Sequence, residues 1–399
     1  MAAVGNNMPV IGLLVTLLIG ISLGANVTIA QYLGAGKQEK VEETVQTAIV
    51  MALGLGVLLT AVGELIAHPA LKILAVPEEV HDLAATYLRI FLLGMPFLTL
   101  YNFEAAIFRS CGDGKTPLYS LVAANLLNIT LDLLSVTVFD WGITGVVSAT
   151  VLSFAVNSGI LFVLLCRTPQ PIQLQRHKMR LNGHEMGKIL HIGLPAGIQG
   201  MVFAMSNVVI QSSINSLGTA AMAAASVIIE FNIYCFVNGF SQATTTFVGQ
   251  NYGARKLSRC FATTKAAFWV EGLFLLCITV PILLFGEHVI GFFNPDPQVI
   301  RLGVLRLWWV GDTLYLNGAM DILSGALRGY GYSLPPAIVA LIGICGVRLV
   351  WIYTVFASHR DYLTLIQAYP VSWIIATAVL AVVYWQCRKY IVKSALAGR

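Results

Sequence analysis

Three sets of polar residues interrupt an otherwise apolar sequence. The sharpest is Asn125-Leu-Leu-Asn128-Ile-Thr-Leu-Asp132, whose spacings of three and four put both amides and the carboxylate on one side of a helix. A carboxylate beside amide oxygens can coordinate Na+, or exchange a proton when burial favours the acid form. The same residues can equally be hydrogen-bonding links between helices. Gln199, Asn207, Gln211 and Asn215, at spacings of eight, four and four, form a second stripe that either lines a solute path or glues helices together. The third set is ionic. Glu104, Asp132, Glu230, Glu271, Asp312 and Asp321 fall within apolar stretches, against Arg348 alone near the middle of one.

Those stretches set the class of molecule. The chain of 399 residues has 24 basic and 19 acidic residues, 11% charged where soluble domains have about 25%. It is 57% hydrophobic with a mean hydropathy of +0.78, so a water-soluble fold is excluded. Uncharged runs such as residues 1–36, 141–166 and 189–229 are long enough to cross a bilayer as helix. They are continuous rather than alternating, which excludes a membrane β-barrel. A carboxylate at the bilayer centre costs about 2.5–3.5 kcal/mol, so six of them imply protein-buried or watery surroundings, and their excess over Arg348 favours a cavity that accepts cations. Arg348 is placed to neutralise one of Glu230, Asp312 and Asp321, and Arg109 to pair with Glu104, while Glu271 has no evident partner. The net charge of +5 reports loop Lys and Arg and does not imply nucleic acid. The seven cysteines have no metal-ligand spacing and read as reduced, structural thiols. No hydrolytic triad or phosphate-binding loop is present, so no enzyme and no cofactor are expected beyond a coupling ion.

Apolar runs between charges and Gly or Pro breaks predict eleven spans, near residues 8–32, 43–66, 84–109, 117–139, 143–166, 187–216, 219–251, 263–285, 302–328, 334–357 and 363–387. Eighteen of the 24 basic residues fall in the first, third, fifth, seventh and ninth connections and after the last span, which makes that side cytoplasmic. The segment GISLGANVTIAQYLGAGK from Gly20 recurs as GFSQATTTFVGQNYGARK from Gly239, an offset of 219. Arg109 likewise stands opposite Arg328, and Gly112 opposite Gly331. The chain is therefore two homologous halves of like orientation, all-α and polytopic, six spans in the second half and five in the first, with an amino-terminal helix expected to be missing. No cleavable signal peptide is evident. The expected organisation is an amino-terminal lobe over 1–166, a polar cytoplasmic linker over 167–186 and a carboxy-terminal lobe over 187–399.

QYLGAG and GQNYGAR, the loop RSCGDGKTP, the stretch NITLD and FDWGITGVVSAT resemble the multidrug and toxic compound extrusion (MATE) family, nearly the whole chain being covered. The resemblance implies twelve helices in two six-helix lobes, of which this chain lacks the first, and export of organic cations by antiport with Na+ or H+. It implies a cation site at Asn128, Asp132 and Thr150, with the Val146 backbone carbonyl as a further Na+ ligand, and carboxylates of the second lobe, Glu230 and Asp321, as an alternative. The expectation is a monomeric exporter of small cationic amphipathic molecules in the bacterial cytoplasmic membrane, with linker and carboxy terminus inside. A lipid-linked oligosaccharide flippase of the same superfamily is the alternative, which a basic cavity would favour; a channel or a non-transporting scaffold is a further rival.

Overall fold

The computed structural model describes residues 7–73, 78–168, 171–226 and 229–397. In chain order the helices are α1 Met8–Gly34, α2 Gln38–Ile73, α3 Glu78–Leu93, α4 Met95–Ser110, α5 Lys115–Thr137, α6 Gly142–Arg167, α7 Gly183–Asn215, α8 Thr219–Ser226, α9 Ile229–Gly253, α10 Leu257–Leu284, α11 Gly286–Phe293, α12 Pro297–Arg306, α13 Leu314–Gly329, α14 Leu334–Phe356, α15 Tyr362–Ile366 and α16 Ala368–Ala397. No strand occurs among the described residues. A helix satisfies its own backbone, which is why it suits apolar sequence destined for lipid.

Among the described residues, eight helices are long and apolar enough to span a membrane, and a ninth span results if a pair bent by 46°, His81–Leu93 with Met95–Ser110, is joined. Of the eleven expected spans, those near 219–251 and 302–328 do not meet this criterion of length and hydropathy in one helix. The bend has a local cause. Pro96 has no N–H to return to Leu92, and the carbonyl of Leu92 instead accepts from Thr60 Oγ1 at 2.7 Å. Of the expected span near 219–251, residues 219–226 lie in α8 and 229–251 in α9, and that near 302–328 is interrupted by a π-helical turn over Leu307–Gly311 between α12 and α13. α9 is long enough, but Asn232, Asn238, Gln242, Gln250 and Asn251 make it polar.

The chain divides into two compact units, Met1–Gly197 and Ile198–Arg399. In the first, α4 packs on α1 and α2, α5 pairs with α6, and the core holds Ile49, Phe103, Leu161 and Leu165. In the second, α13 packs on α9 and α16, around a core that includes Ile210, Val237, Leu365 and Ile366. The first part of α7 belongs to the first unit and lies against α1 at a paired glycine crossing. A Cβ on Gly20 would come 2.1 Å from Gly197 N, and one on Gly24 2.1 Å from the Ile189 carbonyl oxygen. Gly20 and Gly24 on α1 meet Gly193 and Gly197 on α7, two four-residue spacings of glycine that let backbones touch.

The internal repeat is visible bond by bond. After α1, Lys37 N donates to the Tyr32 carbonyl (3.0 Å) and Gly36 N to that of Leu33 (3.1 Å); after α9, Lys256 N donates to Asn251 (2.9 Å) and Arg255 N to Tyr252 (2.9 Å). These are paired helix-terminating turns. Gly36 (φ 70°) and Arg255 (φ 57°) occupy the left-handed region, where glycine is at ease and arginine is strained. The turn after α4 differs in chemistry. There Asp113 accepts from Thr116 Oγ1 at 2.6 Å and from the N–H groups of Lys115 and Thr116, each at 3.0 Å. Burial pushes its carboxyl up, but these bonds outweigh it and hold it below the usual carboxylate range.

The polar segment between α6 and α7 is pinned to the first unit. Ile172 and Leu174 are buried in its core. Arg180 pairs with Glu43 at 3.0 Å, and the wholly buried Glu185 accepts from Tyr32 Oη at 2.9 Å and lies 3.6 Å from Lys188 and 3.9 Å from Lys40.

Candidate functional site

α5 and α6 form an antiparallel pair fixed at two levels. Ser120 Oγ donates to Asn157 Oδ1 at 2.6 Å near one end, and at the other a Cβ on Gly145 would come 2.8 Å from Ser135 Cβ. Counting along both helices between these anchors sets Asn128 level with Thr150, and Asp132 level with Val146 and Val147. The buried face of α5 carries Pro117, Ser120, Ala124 and Ser135. At about 100° per residue, Asn128 lies within that face, Asp132 at its edge and Asn125 beyond it. Asn128 and Asp132 are accordingly half-buried and Asn125 is exposed, a difference in shelter on which spacing alone is silent. Asp132 Oδ1 and Asn128 Nδ2 are enclosed without a hydrogen-bond partner. Thr150 Oγ1 donates to the Val146 carbonyl at 3.1 Å. Asp132 also interacts electrostatically with Tyr87 of α3.

These residues suit a proton or a small hard cation. Asp132 Oδ1 is an acceptor with nothing to accept from, and turning the Asn128 amide over would offer its oxygen; the Val146 carbonyl becomes available to an ion when the Thr150 hydroxyl turns away from it. Among the described residues, no group of three or more His, Cys, Asp or Glu could hold a metal ion, so an ion here would draw on amide, hydroxyl and carbonyl oxygens.

The second unit carries its polar groups deeper. On α13, Asn317, Asp321 and Ser324 are 1%, 5% and 1% exposed, and Arg328 follows on the same face at helical spacing. Both amide atoms of Asn317, Asp321 Oδ2 and Ser324 Oγ lack hydrogen-bond partners. Glu271 of α10 is 2% exposed and its carboxylate rests on Gly318, where an added Cβ would come 2.6 Å from Oε1. Asp321 interacts electrostatically with Glu271 and with Arg328. Arg328 Nη2 donates to Gln199 Oε1 at 2.7 Å, giving Gln199 a buried structural partner. The spacing 317, 321, 324 and 328 is a helical stripe in the sequence, a signal that attention to isolated carboxylates passes over.

The remaining candidates separate. Asn207 is exposed and accepts from Arg348, and Gln211, also exposed, bonds Asn215 at 3.0 Å. Asp312 is exposed. The side chain of Glu230 lies outside the described residues. The expected pairing of Glu104 with Arg109 does not occur: both Glu104 oxygens are buried without a partner, and Arg109 Nε donates to the Ala105 carbonyl at 3.1 Å. Five residues turn a helix through about 500°, which leaves the two side chains on different faces. Arg348 does not neutralise a carboxylate among the described residues; it is held by Ser206, Asn207 and Ser372.

The family model described as MatE matches residues 1–134 and 195–354. The chain belongs to the MatE family. Similar relatives include the probable multidrug resistance protein YoeA of Bacillus subtilis, 28% identical over 361 residues that cover 87% of this chain and 77% of that one. The probable multidrug resistance protein NorM of Thermotoga maritima is 29% identical over 358 residues, 88% of this chain and 76% of that one. A crystal structure of a mutant of the Vibrio cholerae MATE transporter VcmN shares the fold with a TM-score of 0.89, at 21% identity, covering 98% of this chain and 89% of that one. The MatE chain is thus an all-α, multi-pass membrane protein, and its named relatives are described as probable multidrug resistance proteins and a MATE transporter.

Proposed function

We propose that this MatE protein is a secondary active efflux transporter that exports small cationic amphipathic molecules in exchange for H+ or Na+ by alternating access. One observation carries the ion-coupling half of the reading: Asp132 Oδ1 is enclosed without a partner, with Val146 at its level on α6, and Asn128 and Thr150 one turn away. An acceptor buried in that way costs free energy that a proton or Na+ repays. Asp132, Asn128, Thr150 and the Val146 carbonyl would hold the ion on entry from outside, and its loss to the cytoplasm would reset the protein for cargo. No covalent bond is broken. The cationic cargo is supported by the buried carboxylates Glu104, Glu271 and Asp321, which outnumber the buried Arg348 and also weigh against a flippase of anionic lipid-linked sugars. The surplus of Lys and Arg in alternate connections supports a cytoplasmic membrane location with the linker and carboxy terminus inside. A monomer suffices for the cycle.

The test is efflux of a cationic dye from proteoliposomes under an imposed H+ or Na+ gradient. Asp132→Asn is expected to bring gradient-driven efflux to background while dye binding survives. Coupled efflux at the unaltered rate would remove Asp132 from the mechanism.

A further inference from the structure

Arg348 sits within α14 at 2% exposure, and everything that holds it is neutral. Its Nε donates to Ser372 Oγ at 3.1 Å, and Nη1 donates to Ser206 Oγ at 3.2 Å and to Asn207 Oδ1 at 3.0 Å. Its guanidinium lies over the Tyr369 ring, 4.6 Å from the centroid, and Arg306 approaches the same ring at 5.6 Å. Of the five N–H donors of a guanidinium, three are used, and among the described residues nothing bonds the two on Nη2. Neutral bonds orient a charge without balancing it, and a guanidinium inside a membrane span is costly until an anion joins it. Among the described residues, the ion pairs all lie elsewhere.

The charge has a polar approach. Asn207, Gln211 and Asn215 are exposed at spacings of four on one face of α7, a helix long and apolar enough to span a membrane, and exposed amides there suit water rather than hydrocarbon. Asn207 belongs both to this face and to the shell of Arg348.

We propose that Arg348 is the receptor, within the second unit, for an oxyanion carried by the transported molecule. A carboxylate or phosphate would meet the two Nη2 donors while Tyr369 fixes the guanidinium plane and Ser206, Ser372 and Asn207 hold it from the other side. The inference rests on the efflux reading and names the residue that would recognise the oxyanion of amphipathic cargo bearing a positive charge as well.

The experiment compares two dyes that differ only at the oxyanion, rhodamine B with its free carboxylate and its ethyl ester. Binding to the purified full chain in neutral detergent is followed by fluorescence polarisation. Arg348→Gln is expected to weaken rhodamine B by about tenfold or more and the ester by less than about twofold, with Arg348→Lys between. Equal weakening of both dyes, or of neither, overturns the proposal. If Arg348→Gln does not fold, the unaltered protein decides: octanoate must displace rhodamine B and octanamide must not, and the opposite result refutes it. Phosphatidylglycerol displacing rhodamine B as strongly as octanoate does would assign the site to lipid phosphate and overturn the cargo assignment. Failure of the ester to bind or to be exported by the unaltered protein would count against the efflux reading, whereas the rhodamine B comparison at Arg348 would still be readable.

Discussion

The turns that close α1 and α9 use the same hydrogen bonds 219 residues apart, yet the polar groups of the two units are buried in different ways. In the first unit Asp132 stands half-buried at the edge of a helix face, on the hairpin of α5 and α6. In the second, Asn317, Asp321 and Glu271 are sealed between α10 and α13, and Arg348 is held by Ser206, Asn207 and Ser372. Backbone turns and glycine crossings leave few residue choices, so a repeat keeps them. Side chains that face a bound ion or solute are free to diverge once the two halves do different work. An acceptor at the edge of a face can trade a proton with water, whereas a sealed one is better suited to hold a charge in place.

The sharpest way to break this contrast is to exchange the acids. Asp132→Asn should remove gradient-driven efflux and Asp321→Asn should reduce it only in part, measured side by side in proteoliposomes; the reverse order would move coupling to the second unit. Next in size is the glycine crossing. Gly24→Val would drive a Cβ into the Ile189 carbonyl, now 2.1 Å from that position, and should cost about 3 kcal/mol or more in detergent thermal unfolding. Its repeat counterpart Ala243 is exposed, and Ala243→Val should stay within about 0.5 kcal/mol. A smaller effect tests the shared turn. Gly36→Ala should destabilise by about 1 kcal/mol, because φ is 70° there. Arg255→Gly should be nearly neutral, since relief at φ 57° is offset by the freer unfolded chain.

The smallest effect is one of pH. Asp113 is held below the usual carboxylate range in the folded protein, so its bonds contribute fully above the unfolded value of about 3.9. That contribution fades as the pH falls below this value and through the lower folded one. Acid unfolding curves of the unaltered protein and Asp113→Asn should therefore converge at the acid end and separate above it; parallel curves throughout would show that the bonds to Thr116 and Lys115 contribute nothing.

Spacing in the sequence found Asn128 and Asp132 because four residues make nearly one helical turn, a purely local fact. It could not say that Asn125 is exposed, since one face of a helix is wide and its edge is set by the neighbour α6. It also paired Glu104 with Arg109 by proximity along the chain, although five residues rotate them apart. The neutral shell of Arg348 was out of reach: Ser206 and Ser372 lie 142 and 24 residues away. Asn317 was overlooked although its stripe with Asp321, Ser324 and Arg328 is written at helical period.

Hydropathy and charge alone decided that this chain is a bundle of membrane-crossing helices, because lipid admits little else, and repetition alone decided where its matching turns fall, because a helix stop is made by neighbouring residues. Which buried acids and bases keep a partner was decided only by the packing of distant helices, because a hydrogen bond inside a membrane depends on what the opposite helix brings within about 3 Å.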